Sequence, residues 1–585
     1  MKHHSLNNLL KDGPSKYSVL IVFLILFIIG VSNLTDYGMP IDEKTEQNLL
    51  LSNIKEYSAL LGIRMQNPAF KNVTFVSNHG DLDHGIACFY PFVPILLALK
   101  QTNPLILMYA WHYYIYFIWY MGVLALYGLS KAIFHHPWTP LIGTLLYFFT
   151  PRIYAEAHYN NKDIIFLTLI VIMLFFAIKT VRHAHTLNIF LFSFFSGLLM
   201  NCKVLGIAIW GLTGIFMLLY HIIINSKPGI TYSEISGTIV KVKTVFFSEL
   251  VLLFPAFVFS VMFFFLLTPA MIRNPLRYLI YSFQYTARYS RWDGTYLFHG
   301  KLLSPAATGL PCTYLLEWIM MTTPVFILVL FISSICVFIY QIVPKQLHVL
   351  NRQDQKSTLF VYKTPQKSKE REFFYILFIL SFLFPTLYTV FKAERLIFYN
   401  GWRHNYYLYA YVILCTIYTL DCLLDNLDYY PTCSMYRKLL SAIMCTFCAI
   451  CFFITAIDMF KHRSFEYVFF NPICRVLTDV KGFEGDYWNI SEIAAIRGFS
   501  DQIEKEGKKV DISIMGYAGF GLDDLIGVNI GNVTIQSKDA IPSSEKYYVF
   551  NVSAMTERSI LEEYTQVYAI SPYGFDLCAV YVKNE

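Results

Sequence analysis

The sequence predicts a mainly α-helical protein, a polytopic transmembrane bundle of about eleven spans with a small extracytoplasmic α/β domain at its C-terminal end. Three observations predict this fold class. Of the 585 residues, 56% are hydrophobic and only 15% are charged, whereas a typical soluble domain carries about 25% charged residues. Long apolar runs recur through the first 460 residues. Beyond them, short β-like runs alternate with one helical stretch.

Each apolar run is a predicted span, because about 20 apolar residues cross the hydrocarbon core of a bilayer. The first run is not interpreted as a signal peptide, since no small-residue cleavage site follows it and further spans do. Two places are ambiguous: the run 137–150 is short, and only the segment around Lys203 separates two neighbouring spans. The predicted spans are 17–35, 104–129, 137–150, 164–181, 187–202, 203–224, 245–270, 320–343, 373–391, 404–424 and 439–458.

Basic residues in the loops predict the orientation, since Lys and Arg are enriched on the cytoplasmic side of membrane proteins. Basic residues lie in the N-terminus and in three loops, and an eleven-span count places all four segments on one side. We therefore expect a cytoplasmic N-terminus and an external C-terminal domain. The basic loops are 225–244, 345–371 and 425–438.

Two domains follow from this topology. Residues 1–460 form the membrane domain, with a first external loop 36–103 and a later external loop 271–319. Residues 461–585 form the external α/β domain. In it we expect a helix near 490–506 and strands at 510–515, 547–551 and 577–582.

Charge and cysteine content exclude other classes of protein. The 46 basic and 40 acidic residues give a net charge of only +6, scattered along the chain, so no nucleic-acid partner is expected. The 12 cysteines include no CxxC pair, so the sequence shows no zinc or redox motif.

Ionisable side chains gather near span ends on the predicted external face, although the topology was counted without them. A carboxylate at this boundary acts as a general base toward a hydroxyl or holds a divalent cation. Arginine and lysine there bind a phosphate or diphosphate. Together they point to transfer from a lipid-linked phosphate to a hydroxyl or amine. The residues are Asp42, Glu43, Arg152, Glu156, His158, Lys162, Asp163, Lys203, Arg403, His404 and Asp486.

Taken singly, these residues have simpler interpretations. An acidic pair after a span is usually a solvated loop end, and Lys203 is also placed to extend its ammonium group to the interface. His112, inside the second span, is typical of a hydrogen-bonded interior histidine. Four arginines suit an amphipathic helix on anionic headgroups. They are Arg273, Arg277, Arg288 and Arg291.

Five motifs, in order between residues 40 and 490, resemble those of bacterial polyprenyl-phosphate-dependent glycosyltransferases of the GT-C superfamily. These enzymes are relatives of the protein O-mannosyltransferases and of the lipid A aminoarabinose transferase. Asn161 departs from the family pattern, which has proline before the lysine. The motifs are Asp42-Glu43; Pro151-Arg152 with His158-Tyr-Asn-Asn-Lys-Asp163; Leu297-Phe-His-Gly300 with Leu310-Pro311, Tyr314, Trp318 and Thr323-Pro324; Gly401-Trp-Arg-His404; and Phe469-Phe-Asn-Pro472 with Asp486-Tyr-Trp488.

The resemblance implies a GT-C-type fold and an inverting hexosyl or pentosyl transfer from a polyprenyl-phosphate-linked sugar, with Asp42 as the base. Glu43 and Asp163 would position the acceptor or a cation. Lys203, Arg403 and His404 would neutralise the leaving phosphate, a kind of electrostatic help that usually dominates catalysis. Further residues carried by the motifs are Arg152 and Lys162 as second donor-phosphate candidates, and His158, Asp486, Tyr487 and Trp488.

The resemblance also implies partners and location. We expect a lipid-linked donor, membrane lipids and an acceptor that is a lipid, a glycan or a protein, in a bacterial inner or plasma membrane. Family members differ in needing a divalent cation, so no metal ligand is assigned and no other cofactor is expected.

Two other classes of function remain alternatives. A flippase or transporter of lipid-linked sugars predicts ionisable residues deep in several spans and usually an internal repeat, and the sequence shows neither. A receptor or scaffold that binds through the tail is the other alternative, which substitution of Asp42 would distinguish from an enzyme.

Overall fold

A computed structural model describes residues 13–100, 102–225, 235–287, 294–347, 366–428, 435–515, 525–536, 547–553 and 558–584. Within these residues the chain forms twenty α-helices and eight strands. The helices are α1 Lys16–Val31, α2 Glu43–Leu60, α3 Val93–Leu99, α4 Pro104–Ile133, α5 Thr139–Phe148, α6 Pro151–Glu156, α7 Asp163–Arg182, α8 Thr186–Cys202, α9 Leu205–Asn225, α10 Ile235–Leu267, α11 Pro269–Arg273, α12 Pro275–Ala287, α13 Pro305–Thr308, α14 Tyr314–Thr322, α15 Val325–Leu347, α16 Gln366–Lys392, α17 Leu408–Asp428, α18 Met435–Lys461, α19 Pro472–Leu477 and α20 Ser491–Glu504.

A helix lies at each of the eleven predicted spans. Within the described residues, six helices are long and apolar enough to cross a membrane, which supports an integral membrane protein. At the other predicted spans the described apolar stretches are shorter, and α5, with 10 residues, is about 15 Å long and cannot cross a bilayer alone. The six are Pro104–Ile133, Asp163–Arg182, Leu250–Leu267, Lys369–Arg395, Leu408–Leu427 and Met435–Lys461.

Helices α7 and α17 form the centre of the bundle. Their most apolar windows are 83% and 89% buried, as expected of helices that are apolar on all sides. Helix α7 packs against α4 and α8, and α17 packs against α15, α16 and α5. Helix α7, which begins at Asp163, is therefore packed on several sides.

The two long loops that the sequence predicts to be external carry shorter elements. Helix α2 occupies the first of them, and helices α11 and α12 follow α10 almost directly. A two-stranded hairpin of β1 Tyr296–Phe298 and β2 Lys301–Leu303 belongs to the later loop, 271–319.

The C-terminal domain is a six-stranded mixed sheet with α20 against it. The order is β4-β5-β3-β6-β8-β7, in which β3 runs parallel to β5 and β6 and the other pairs are antiparallel. Helix α20 buries Ile493, Ile496, Phe499 and Ile503, the spacing of one helix face. The strands are β3 Val510–Met515, β4 Asn529–Ile530, β5 Val533–Gln536, β6 Tyr547–Asn551, β7 Tyr564–Ile570 and β8 Cys578–Lys583.

The predicted fold class, mainly helical with a small α/β domain at the C-terminal end, is confirmed. The tail packs on the membrane domain, since Met39 and Met108 belong to the same buried cluster as Ile493 and Val549. The proposed domain boundary after residue 460 falls at the end of α18 and stays a prediction, as do the orientation in the membrane and the bacterial origin.

Candidate active site

Four distant segments bring charged side chains together at the end of the bundle where α7 begins. Asp42 immediately precedes α2, Asp163 is the first residue of α7, and Lys203 follows the last residue of α8. Arg403 and His404 lie in a short 3-10 helix before α17. The sequence-predicted residues Asp42, Asp163, Lys203, Arg403 and His404 thus form one cluster.

Ion pairs connect the cluster. The Arg403 Nη1 atom lies 3.1 Å from Oδ2 of Asp42 and 3.9 Å from Oδ2 of Asp163. The Lys203 ammonium group forms a close ion pair with Oδ1 of Asp163. The carboxylate of Asp163 therefore bridges Lys203 and Arg403, while that of Asp42 contacts only Arg403 in this cluster.

Exposure separates the two carboxylates. The side chain of Asp42 is 44% exposed, whereas those of Asp163 and Arg403 are 4% and 7% exposed. Lys203 is 21% exposed. Asp42 is therefore the accessible carboxylate of the cluster, and Asp163 is the buried one that contacts both cations.

Aromatic rings enclose Arg403. Its guanidinium carbon lies 4.1 Å from the ring centroid of Trp488 and 4.4 Å from that of Tyr399. Burial acts to lower the pKa of Arg403, but Asp42 and Asp163 raise it above its ordinary value, so the residue is permanently charged. Such stacking is a common arrangement for a partly desolvated guanidinium group.

His404 differs electrostatically from its neighbour. Burial and, next, the positive charge of Lys203 hold its pKa well below the usual range, against the opposing effect of Asp163. The imidazole is therefore neutral near pH 7.

A carboxylate that the sequence reasoning missed lies one helical turn beyond Asp42. Glu46 is buried, and its Oε1 lies 3.7 Å from Nδ1 of His84. Burial acts to raise the pKa of Glu46, but Lys162 and His84 lower it below its usual range. The four-residue spacing from Asp42 was the available signal, because it places both side chains on one face of a helix.

Lys162 connects the segment before α7 with the loop that carries Gly85. Its Nζ donates to the carbonyl of Gly85, at 2.8 Å, while Oδ1 of Asn160 accepts from the backbone N–H groups of Lys162 and Asp163. Lys162 lies beside the cluster and positions the turn that leads into Asp163.

Glu43 pairs with a histidine of α4. Its Oε2 lies 3.0 Å from Nε2 of His112, with both side chains fully buried, and its Oε1 accepts from Gln47 at 3.0 Å. The pair joins α2 to α4.

Arg152 lies beneath the tail. Its Nε donates to the carbonyl of Phe469, at 3.0 Å, and its guanidinium group lies over the rings of Trp318 and Phe470, at 5.3 and 5.1 Å. The side chain is buried. Arg152 therefore lies where the tail meets α14, the helix that carries Trp318.

Glu156 receives hydrogen bonds from three segments. Its Oε1 accepts from the hydroxyls of Tyr406 and Tyr487, at 2.5 and 3.1 Å, and its Oε2 accepts from Asn160 at 2.7 Å. Burial raises the pKa of Glu156. Tyr487, a motif residue, thus connects the tail to the loop that carries Asp163.

His158 and Asp486 hold the backbone in place. His158 places its ring nitrogens 2.8 Å from the carbonyl of Tyr154 and 3.1 Å from that of Gly30, and burial lowers its pKa to about 4. Asp486 accepts from the Ser491 N–H at 2.7 Å and so caps α20. Burial raises the pKa of Asp486.

One group of described residues has the spacing of metal ligands, and it lies elsewhere. His135, Asp421 and Asp425 meet where α4 and α17 end. Nη1 of Arg371 lies 2.7 Å from Asp421 and 2.8 Å from Asp425, so a protein cation already neutralises these carboxylates.

No family model matches the sequence, and no curated protein matches it. The fold is similar to the crystal structure of the Archaeoglobus fulgidus oligosaccharyltransferase in the apo form, at 12% identity and a TM-score of 0.45, over 98% of this chain and 75% of that one. It is also similar to ArnT from Cupriavidus metallidurans bound to undecaprenyl phosphate, at 10% identity and a TM-score of 0.37, over 97% of this chain and 98% of that one.

A further similar structure is the archaeal oligosaccharyltransferase AglB from Archaeoglobus fulgidus in complex with an inhibitory peptide and a dolichol-phosphate. It matches at 12% identity and a TM-score of 0.44, over 97% of this chain and 74% of that one.

Proposed function

We propose that this chain is an integral-membrane glycosyltransferase that moves a sugar from a polyprenyl-phosphate donor to an acceptor hydroxyl or amine on the extracytoplasmic face. One observation carries the proposal. The accessible carboxylate of Asp42 is ion-paired with Arg403, which with Lys203 flanks the buried Asp163. A base and two phosphate-binding cations thus lie side by side, at residues whose motifs resemble those of the GT-C superfamily.

The reaction uses the two kinds of group at opposite ends of one displacement. The acceptor oxygen or nitrogen attacks the anomeric carbon and forms the new glycosidic bond, while the bond between that carbon and the phosphate oxygen breaks. The acceptor proton passes to Asp42, and the bonding electron pair leaves with the lipid phosphate. A single in-line displacement inverts the anomeric configuration.

Lys203 and Arg403 stabilise the phosphate as its negative charge develops. Such electrostatic stabilisation is usually the largest contribution to the rate enhancement. His404, as a neutral imidazole, donates a hydrogen bond to the same oxygens. Asp163 is a positioning residue, because it holds both cations without being exposed itself.

Donor binding also prepares the base. In the structure Arg403 neutralises Asp42 across 3.1 Å. A donor phosphate competes for the same guanidinium group, since a phosphate accepts bidentate hydrogen bonds from arginine well. As Arg403 turns toward the phosphate, the Asp42 carboxylate is released to accept a proton.

Glu43, Arg152 and Lys162 act in this account through the backbone that they hold. Glu43 fixes the first turn of α2 against His112, and Lys162 ties the loop before Asp163 to Gly85. Arg152 contacts the carbonyl of Phe469. Each sets the position of a neighbouring segment of the site.

The proposal is tested with the purified full chain in lipid nanodiscs and a panel of radiolabelled polyprenyl-phosphate sugars, each with lipid, glycan and peptide acceptors. Release of free lipid phosphate is measured with and without a chelator, which also tests for a divalent cation. We expect at least one donor to be consumed with transfer of label to an acceptor. Absence of release with every donor would overturn the enzyme assignment.

A further inference from the structure

Two cavities share the ring of Phe75 as a common wall, at the far end of the first external loop. One has a volume of about 580 Å³ and includes Lys55, Phe70 and Lys71 in its lining. The other has a volume of about 190 Å³ and includes Arg273 and Arg277. Neither is lined by a residue of the Asp42 cluster.

These two cavities, which we call the recess, are separated from the candidate active site. Lys55 lies 13 residues after Asp42 along α2, which corresponds to about 20 Å of helix. A molecule bound at one of these places therefore does not occupy the other.

The lining of the recess is positively charged. Its described residues include Lys55, Lys71, Arg273 and Arg277 and no carboxylate. Arg273 is neutralised from behind by Glu56, at 3.3 Å. The nitrogen of Lys55 is held by the carbonyl of Val73 and lies 5.3 Å from the centroid of Phe75.

The other two cations are available. Lys71 and Arg277 are exposed, and the described residues include no side-chain partner for either. Such cations attract an anion from solution or from a membrane surface.

An apolar stripe runs from the recess along α12. Leu276, Ile280 and Phe283 are 69%, 48% and 51% exposed, at a spacing that places them on one helix face. Helix α12 follows the membrane-spanning α10 after only the short α11, and α10 itself exposes apolar side chains such as Phe254. A basic, amphipathic helix in this position lies in the interface of a bilayer.

We propose that this recess binds an anionic, phosphate-bearing membrane lipid at a site separate from the Asp42 cluster. Arg277, which is adjacent to Leu276 in sequence, contacts the headgroup phosphate, and Lys71 contributes to the attraction. The acyl chains lie along Leu276, Ile280 and Phe283. The sequence pattern predicted a headgroup contact for Arg273 and Arg277; Arg288 and Arg291, which it also named, lie outside the described residues.

The test measures lipid binding to the purified full chain and does not depend on glycosyl transfer. Phosphatidylglycerol and phosphatidylcholine are titrated separately, and bound lipid is counted by native mass spectrometry. The variant Lys71→Gln/Arg277→Gln removes two exposed cations without breaking a described contact. Its control, Arg395→Gln/Lys481→Gln, removes two exposed cations elsewhere on the chain.

We expect the wild type and the control to bind phosphatidylglycerol more tightly than phosphatidylcholine. The recess variant loses about 30-fold in affinity for phosphatidylglycerol, at about 1 kcal/mol for each cation. Leu276→Ser/Ile280→Ser lowers affinity for the lipid but not for soluble glycerol phosphate.

Equal phosphatidylglycerol affinity in the recess variant and its control would overturn the proposal. Equal binding of the two lipids by the wild type would also overturn it. If glycerol phosphate binds the wild type as tightly as the lipid does, the site recognises a free phosphate ester and the lipid assignment is wrong.

Discussion

Trp488 and Arg403 are in direct contact although 85 residues separate them: the guanidinium carbon lies 4.1 Å from the indole centroid. The carbonyl of Trp488 also accepts the N–H of Ile41, at 3.1 Å, immediately before Asp42. The C-terminal tail therefore holds both the proposed base and its cation, and the site is assembled from both ends of the chain.

Trp488→Ala removes the ring that orients Arg403. We expect kcat/KM for the lipid donor to fall about fivefold to thirtyfold, which corresponds to a partly desolvated cation–π contact of about 1–2 kcal/mol. Trp488→Phe keeps a ring face and should lose less than half of that free energy. Wild-type kcat/KM in Trp488→Ala would show that the tail does not position Arg403.

The Lys203–Asp163 ion pair is expected to be energetically coupled. A double-mutant cycle of Lys203→Gln and Asp163→Asn, measured by thermal unfolding, should give a coupling free energy of about 1–2 kcal/mol. The value is modest because Lys203 is partly exposed. The double variant should lose less stability than the sum of the losses in the two single variants. Strict additivity would show that the pair does not stabilise the fold.

Glu466 makes stability depend on pH. Burial raises its pKa to about 7, and its Oε2 accepts from the Tyr37 hydroxyl at 2.8 Å. Because its folded-state pKa lies above the unfolded value, its contribution is complete below about pH 4.5 and disappears as the pH rises through 7. The full effect is about 3 kcal/mol.

The measurement compares the melting temperature of wild type and Glu466→Gln between pH 4.5 and 8. The difference between the two isolates Glu466 from other titrating groups, such as His158. We expect the wild type to lose stability relative to the variant as pH rises. A constant difference across this range would contradict the assignment.

Gly85 lies against the chain that leads to Lys203. A Cβ atom there would lie 1.8 Å from the carbonyl oxygen of Asn201, whereas a Cβ at Gly80 would have nothing within 4 Å. Gly85→Ala must therefore displace backbone two residues before Lys203, at a cost of about 1–3 kcal/mol. We expect a lower melting temperature and slower transfer than in Gly80→Ala, and identical behaviour of the two variants would disprove this close approach.

The sequence predicted the positions of the helices better than the contacts between side chains. Apolar runs and basic loops are local signals, so the helices appear where expected, and strands Val510–Met515 and Tyr547–Asn551 match the alternating pattern. The helix around 137–150 is shorter than a span, because its ten residues pack between other helices and need not cross the bilayer alone.

The contacts within the site depend on packing that no local pattern encodes. The sequence named Asp42, Asp163, Lys203 and Arg403 together, but it also assigned a positive charge to His404, whose burial keeps it neutral. It passed over Glu46 despite the helical spacing from Asp42. The pairing of Glu43 with His112 joins two elements 69 residues apart, which a single sequence does not reveal.

The central claim is that Asp42 is the base, and single-turnover transfer by Asp42→Asn tests it most directly. The matched control is Asp511→Asn, which alters an exposed carboxylate in the tail sheet. With a donor that the wild type consumes, we predict that Asp42→Asn still binds the lipid phosphate but transfers the sugar about 10²–10⁴-fold more slowly, while the control stays at the wild-type rate. Transfer by Asp42→Asn at the wild-type rate would contradict the account.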